Sequence, residues 1–188
     1  MIKKTNTLKL TVSALLTAIA IVIPMVMPVR ILIEPASFTL ASHVPIFLAM
    51  FFSPGIAVAV SIGSAVGFLL ASFPIVIVLR ALSHVVFAYI GAKILYNRRE
   101  EILSSPAKST AFSFGIGILH GGAEMLIVSL FFFGIFPGTA YTEGFFYVVF
   151  LLVGVGTIVH SMVDFLLAQF IWKSMGDRVL NLSKKIQK

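Results

Sequence analysis

The sequence contains no cysteine among its 188 residues. This absence excludes a disulfide framework, a thiolate nucleophile and any iron–sulfur or cysteine-ligated zinc site. Charged residues are also scarce, at 11% against 59% hydrophobic residues, whereas about a quarter of a soluble domain is charged. With a mean hydropathy of +1.08, the composition excludes an ordinary soluble enzyme, a disordered chain and a nucleic-acid-binding module. It favours an all-α integral membrane protein with a single transmembrane domain over residues 1–188.

Sequence motifs of common catalytic sites are absent as well. The chain has no G-x-S-x-G and no H-E-x-x-H, so neither serine nor zinc hydrolysis has a motif. It has no phosphate-binding loop, so any energy from ATP must come from another chain. We therefore predict that the protein is not an enzyme and that it carries no cofactor.

Apolar runs predict a compact bundle of six transmembrane helices, because a helix needs roughly 20 apolar residues to cross the hydrocarbon core. The predicted spans are 8–27, 43–52, 54–71, 74–95, 110–136 and 144–172, of which the second is short. The segment 28–41 is predicted as an extramembrane loop because it carries two prolines, an arginine and a glutamate. The charged run 97–101 is expected to close the fourth span, and a polar tail is expected from Lys173 onward.

The distribution of basic residues predicts the orientation of these spans. All lysines and arginines except Arg30 and Arg80 flank the N-terminus, the central loop or the C-terminal tail. Because basic residues accumulate on the cytoplasmic side, both termini are predicted to be cytoplasmic. The loops 28–41, 72–73 and 137–143 are then expected to face outward.

Small residues recur at every fourth position in two helices. In the third span these residues are Ala59, Gly63, Gly67 and Ala71. Such spacing lets helix backbones approach closely, and we expect the third span to use it for internal packing. Ala14 and Ala18 form a second pair near the cytoplasmic end of the first helix.

Three pairs of ionisable residues lie within the predicted spans, each at spacing i, i+4 and therefore on one helix face. The pairs are Arg80 with His84, His120 with Glu124, and His160 with Asp164. Ionisable groups in hydrocarbon are costly and therefore indicate function. At about 1.5 Å per residue, the first pair and Glu124 lie toward the outer side, whereas Asp164 is expected near the cytoplasmic side.

Arg80 is the most informative of these residues. A guanidinium stays charged in a protein, so Arg80 requires an anion, which is Glu124, Glu34 or a bound carboxylate. An ion pair that locks two helices and the capture of a ligand carboxylate both remain open. His84, one turn further in, is placed to hydrogen-bond the same ligand. We expect Arg80→Ala to weaken the binding of an anion much more than it harms folding.

The remaining histidines have structural interpretations. Asp164 is expected to fix the tautomer of His160, or the two residues belong to a cytoplasmic coupling surface. His84, His120 and His160 could in principle hold a metal ion or haem from three helices, but their estimated depths do not converge. We therefore predict no metal site.

The segment PASFTLASHVPIFLAMFFSPGIAVAVSIGSAVGFL, residues 35–69, resembles the second and third helices of substrate-binding (S) components of energy-coupling-factor (ECF) vitamin transporters. The shared elements are a polar loop that covers the ligand, a short helix with a proline, a turn with a proline and a glycine-rich helix. Six spans and cytoplasmic termini also fit this family. The pair Ala14 and Ala18 matches the A-x-x-x-A contact by which the family docks its transmembrane coupling subunit.

Within the family, IEPASFTLASHVP and PIVIVLRALSHV most resemble the niacin-type member. This resemblance implies a small pyridine carboxylate as ligand, which agrees with the interpretation of Arg80. His84 or Glu124 would meet the ring nitrogen, and Tyr141 or Tyr147 would stack on the ring. The predicted ligand-binding residues are Arg80, His84, Glu124, His120, Tyr147 and Glu34.

The resemblance implies the membrane-embedded binding subunit of an ABC importer in a bacterial cell membrane. Its partners would be a small vitamin, a transmembrane coupling subunit, two ATPase subunits and the lipid bilayer, with no nucleic acid. A competing hypothesis is a proton-coupled secondary transporter of a small carboxylate, although no inverted repeat relates the two halves of the chain. An S component for pantothenate or a pyridoxine precursor also fits. A small lipid enzyme is a further hypothesis, for which no nucleophile is recognisable.

The outer loop 30–41 is expected to act as a lid over the ligand. It mixes apolar with charged side chains, so it could cover a ligand with one side and face water with the other. The competing interpretation is a loop that rests permanently on the bundle.

Overall fold

The computed structural model describes residues 2–137 and 141–187. Helices account for 82% of the structure, which confirms the all-α fold class. In chain order the elements are α1 (Ile2–Val26), β1 (Arg30–Ile33), β2 (Ala36–Thr39), α2 (Val44–Phe52), α3 (Pro54–Leu70), α4 (Ile75–Ser104), α5 (Pro106–Phe132), a π-helical segment (Phe146–Val155), α6 (Gly156–Ser174) and α7 (Gly176–Gln187). The predicted outer loop 137–143 falls partly outside the described residues, as does Lys188 of the tail.

Four helical stretches of the described chain are long and apolar enough to cross a membrane. They are Thr5–Val26, Ile75–Ser104, Pro106–Phe132 and Phe146–Ser174, the last of which joins the π-helical segment to α6. Helix α3, with 17 residues, and α2, with nine, are shorter than a full crossing requires. An integral membrane architecture is thus supported, while six spans and cytoplasmic termini stay predictions.

The expected end of the fourth span at residue 95 is wrong. Helix α4 continues through the charged run 97–101, and only Ser105 separates it from α5, so there is no extended central loop. The charged run stays helical because its side chains find partners. Arg99 is buried and its Nη1 donates to the carbonyl of Phe51, while Glu101 accepts from Lys108 at 2.7 Å.

The C-terminal tail is also not an extended polar segment. It forms α7, which is separated from α6 by Gly176 at a φ of +69°, a conformation that glycine adopts without steric cost. Ile186 is buried among the core residues, and Lys184 lies 3.4 Å from Glu100 on α4. The tail therefore packs against the bundle.

The predicted loop 28–41 contains a β-hairpin. Strands β1 and β2 pair antiparallel with Arg30 opposite Thr39, and a two-residue turn at Glu34 and Pro35 joins them. The peptide bond between the two turn residues is cis. The hairpin leads into α2, which is buried along its whole length, as expected of a helix that is apolar on every face.

Gly63 and Gly67 of the small-residue stripe on α3 pack internally, as predicted, whereas Ala59 of the same stripe is exposed. A methyl group at Gly63 would lie 2.5 Å from Cγ2 of Thr17, and one at Gly67 would meet Ile21, both on α1. The close approach of α1 and α3 therefore requires these glycines. In the centre of the molecule, Phe47 of α2 stacks edge-on against Phe165 of α6.

Candidate functional site

A cavity of about 100 Å³ lies between the hairpin, α2, α3, α4, α5 and α6. Its lining combines charged or polar residues with aromatic and apolar ones. The polar residues are Arg30, Ser37, Thr39, Ser42, His43, Ser64, Arg80, His84, Glu124, Thr157 and His160. Phe38, Phe68 and Phe73 supply the aromatic walls. Pockets for drug-sized ligands are about 300–1,000 Å³, so this cavity suits a far smaller molecule.

Arg80 reaches the cavity from α4 and is only 5% exposed. Its Nη2 donates to Oε2 of Glu124 at 2.8 Å, and its Nη1 donates to the carbonyl of Pro35 in the hairpin turn. Its Nε has no hydrogen-bond partner among the described residues. Of the anions considered from the sequence, the structure pairs Arg80 with Glu124, and one nitrogen of the guanidinium, Nε, has no partner among the described residues.

Glu124 joins three helices. Its Oε2 accepts from Arg80 of α4 and from Oγ1 of Thr157 on α6, the latter at 2.6 Å. Its Oε1 lies 3.1 Å from Nε2 of His84 and 3.5 Å from Nε2 of His120. The predicted residues Arg80, His84, His120 and Glu124 thus form one buried network in which both oxygens of the carboxylate are engaged.

Four histidine rings cluster at this site, and two of them belong to the network, contrary to the expectation that the depths of His84, His120 and His160 do not converge. The ring centroid of His43 lies 4.7 Å from that of His84, 4.6 Å from that of His120 and 5.0 Å from that of His160. His43 was not among the predicted site residues. It comes into the site because the chain between the hairpin and α2 enters the bundle.

Asp164 holds that chain segment in place. Its Oδ1 accepts the backbone N–H of Ala41 at 2.8 Å, and its Oδ2 accepts that of His43 at 2.9 Å. Its Oδ2 is also 3.2 Å from Nδ1 of His43 and 3.4 Å from Nε2 of His160. Asp164 is fully buried, so its interpretation as part of a cytoplasmic coupling surface is wrong and its role is structural.

Two predicted ligand residues lie away from this cavity. Glu34 is exposed at the hairpin turn, beside a second cavity of about 280 Å³ that Tyr141 also lines. Burial, and then the charge of Glu34, raise the pKa of Tyr141. Tyr147 is 47% exposed at the start of the π-helical segment and lines neither cavity.

Arg30 is a second cation that the prediction of the site missed. It begins β1 and lines the cavity. It forms no ion pair with any acidic residue in the described part of the chain. The sequence did hold one signal for Arg30, because this residue begins the loop 30–41 that was predicted to act as a lid over the ligand.

Ala14 and Ala18 are exposed on α1. The neighbouring residues Leu16 and Ala20 are buried against the bundle. The small pair therefore lies on a face of α1 that the protein's own helices leave uncovered.

No protein-family model matches the chain, and no solved structure matches it significantly. A curated protein, the niacin transporter NiaX of Lactococcus lactis subsp. cremoris (strain MG1363), is 42% identical over 167 residues. The alignment covers 88% of this chain and 73% of that transporter. Similarity of this extent shows that the chain is a multi-pass cell-membrane protein that belongs to the niacin transporter family, the niacin-type ECF S components that the sequence motifs resemble.

Proposed function

We propose that this protein is the high-affinity substrate-binding subunit of an ECF-type ABC importer and captures niacin from outside the cell for ATP-driven uptake. The observation that carries the proposal is a small cavity lined by two guanidinium groups, of Arg30 and Arg80, and by one carboxylate, of Glu124. The name of the similar protein, a niacin transporter, agrees with it.

The charge balance of the cavity favours an anion. Arg80 neutralises Glu124 through their 2.8 Å contact, which leaves the charge of Arg30 uncompensated in the lining. The free Nε of Arg80 and the guanidinium of Arg30 are donors for the carboxylate of niacin. Charge-assisted hydrogen bonds of this kind are roughly twice as strong as neutral ones.

The remaining lining suits a pyridine ring. Phe38 and Phe68 offer aromatic surfaces, which bind rings in stacked or edge-to-face geometry. A pyridine nitrogen accepts one hydrogen bond, and the hydroxyls of Ser42 and Ser64 in the lining are able to donate it. Glu124 is engaged by protein donors, so the hydroxyls rather than this carboxylate meet the ring nitrogen.

The proposal includes the arrangement in the membrane. Helices α2 and α3 complete a bundle of six membrane-embedded helices, both termini are cytoplasmic, and the hairpin faces outward as a lid. The partners are one transmembrane coupling subunit and two ATPase subunits. The exposed pair Ala14 and Ala18 supports a docking surface for the coupling subunit on α1.

Binding and uptake measurements test the proposal. Purified protein in detergent is titrated calorimetrically with niacin and with nicotinamide, which has the same ring but no negative charge. We expect niacin to bind at least about 30-fold more tightly, the equivalent of about 2 kcal/mol for a charged hydrogen bond. In proteoliposomes, uptake of labelled niacin is expected only with the coupling and ATPase subunits and ATP. Uptake by this chain alone along a proton gradient would instead establish a secondary transporter.

Arg30→Gln is expected to weaken niacin binding about 10-fold or more without changing the melting temperature. Arg30 lines the cavity but is exposed and forms no ion pair with the described acidic residues, so its loss removes attraction for the anion and leaves no buried charge behind. Calorimetric titration and thermal unfolding measure the two effects. Arg98→Gln is the matched control, because Arg98 is an exposed arginine near the C-terminal end of α4 and does not line the cavity. This variant should bind niacin normally. Equal affinities of the two variants would remove Arg30 from the site.

Ala14→Trp and Ala18→Trp are each expected to leave niacin binding intact and to prevent assembly with the coupling subunit. A bulky indole would hold apart two helices that meet over small residues. Co-purification of the complex measures assembly. Leu126→Trp, at a residue of α5 that is 71% exposed, is the control for a surface tryptophan. Recovery of a complete, ATP-hydrolysing complex at the parental yield would exclude this face as the interface.

A further inference from the structure

We propose that the protein also binds one divalent transition-metal ion between His43, His84 and His120. The three residues come from different parts of the chain: His43 directly precedes α2, His84 lies on α4 and His120 lies on α5. One ring nitrogen of each lies within 4.8 Å of the others, and all three side chains are buried. The metal site does not depend on the proposed transport function.

The three rings surround a common point. Their centroids form a nearly equilateral triangle with sides of 4.7, 4.6 and 4.7 Å. The ring planes are inclined to one another by 73°, 74° and 83°. Three imidazoles arranged in this way around one centre can direct one nitrogen each toward a shared ion.

Carboxylates lie beside one nitrogen of each of these rings. Oδ2 of Asp164 lies 3.2 Å from Nδ1 of His43, and Oε1 of Glu124 lies 3.1 Å from Nε2 of His84 and 3.5 Å from that of His120. A carboxylate oxygen only accepts, so Nδ1 of His43 and Nε2 of His84, which lie at hydrogen-bond distance from a carboxylate, carry the proton, and the other nitrogen of each of these two rings keeps a lone pair. Histidines that bind metals are usually oriented by carboxylates in this manner.

The nitrogens left over are those that a metal would use. Nδ1 of His84 and both ring nitrogens of His120 are buried and have no hydrogen-bond partner within the described ranges 2–137 and 141–187. Burying such groups without partners is unfavourable. A metal ion ligated by Nδ1 of His84, one nitrogen of His120 and Nε2 of His43 would provide a partner for two of these three nitrogens.

The donor set favours an ion of the zinc, cobalt, nickel or copper group, because neutral imidazoles suit these ions whereas calcium and magnesium prefer oxygen ligands. With Zn–N bonds of about 2.0–2.1 Å, a tetrahedral ion needs its ligand nitrogens roughly 3.3 Å apart, so small rotations of the rings must accompany binding. His43 and His84 line the cavity while His120 lies behind them. An ion held by the three residues would therefore border the cavity.

A second set of residues, His43, His160 and Asp164, also has ligand atoms within 4.8 Å of one another. This set is less suited to a metal because both oxygens of Asp164 already accept backbone N–H groups. In addition, Nε2 of His160 lies at hydrogen-bond distance from Ser42. Only His43 is common to the two sets. Substitution of His120, which belongs to the first set, or of His160, which belongs to the second, therefore distinguishes them.

Titration of the metal tests the proposal. Protein without a histidine tag is stripped with a chelator in detergent and titrated with Co²⁺ by visible absorption and with Zn²⁺ by calorimetry. We expect one equivalent to bind, with the intense visible bands of tetrahedral cobalt. His120→Gln is expected to lower the affinity about 100-fold or more, since even the loss of an orienting partner costs 10- to 100-fold. His160→Gln, the matched control, should bind the metal as the parent does.

X-ray absorption of the zinc form of the unaltered protein gives a measurement that does not depend on how any variant folds. We expect three histidine nitrogens at about 2.0–2.1 Å. The proposal would be overturned if the metal does not bind stoichiometrically, or if fewer than three imidazoles are found at the zinc. It would also be overturned if His160→Gln loses binding while His120→Gln retains it. Titration of the stripped protein with niacin measures the transport ligand separately, so the failure of one proposal is distinguishable from the failure of the other.

Discussion

Arg80→Ala is expected to destabilise the protein by about 3–5 kcal/mol, because removing one partner of a buried ion pair leaves the other charge uncompensated. The carboxylate of Glu124 is 2% exposed and would lose its 2.8 Å contact with the guanidinium. The carbonyl of Pro35 would lose its donor too. We expect niacin binding to fall below detection as well. This expectation differs from the one drawn from the sequence alone, that the variant weakens anion binding much more than it harms folding.

A double variant separates the two roles of Arg80. In Arg80→Met with Glu124→Leu, neither charge is left unpaired, and replacing a buried ion pair by apolar residues is often neutral for stability. We expect this variant to recover part of the stability lost in Arg80→Ala but to remain unable to bind niacin. Thermal unfolding in detergent and calorimetric titration measure both properties. Parental niacin affinity in the double variant would show that Arg80 only links α4 to α5.

The residues that form the buried network were predictable where helical periodicity applies. Arg80 and His84 share one face of α4, and His120 and Glu124 share one face of α5, as their spacing indicates. Which of these faces meet is a property of the packed bundle and not of either helix alone. The sequence therefore left the anion partner of Arg80 open.

His43 could not be placed by the same reasoning. It precedes a helix that is apolar on all sides, so no periodicity marks the direction of its side chain. Its position depends on Asp164, which is 121 residues further along the chain. Counting residues along one helix gives an expected depth for Asp164 but no information on its contact with segment 41–43, which enters the bundle.

The C-terminal helix was missed for a different reason. Charge content alone suggested a solvated tail after Lys173, and the same argument suggested a loop at 97–101. Yet Val179, Leu182 and Ile186 are spaced so that they share one face of a helix, and this pattern could have predicted α7. Charged side chains do not by themselves end a helix, because Arg and Glu are good helix formers and water satisfies exposed charges. The charged run of α4 also has partners in α2 and α5.

Asp164→Asn is expected to destabilise the protein by about 2–4 kcal/mol and to weaken niacin binding. The carboxylate accepts the backbone N–H groups of Ala41 and His43 at 2.8 and 2.9 Å, and hydrogen bonds to a charged group contribute about 1.5–3 kcal/mol each. An asparagine has one acceptor oxygen and would place its amide N–H₂ against one of these donors. The segment that joins the hairpin to α2 would then lose an anchor, and the wall of the cavity formed by Ser42 and His43 would be less ordered.

Hydrogen exchange locates this effect. The amides of Ala41 and His43 should exchange faster in Asp164→Asn than in the parent. Amides in the centre of α4 should change mainly through the change in global stability. Asp177→Asn, at an exposed residue in the first turn of α7, is the matched control and should change the free energy of unfolding by less than about 1 kcal/mol. Unchanged exchange at the two anchored amides together with unchanged niacin affinity would show that Asp164 does not hold the hairpin segment in the binding arrangement.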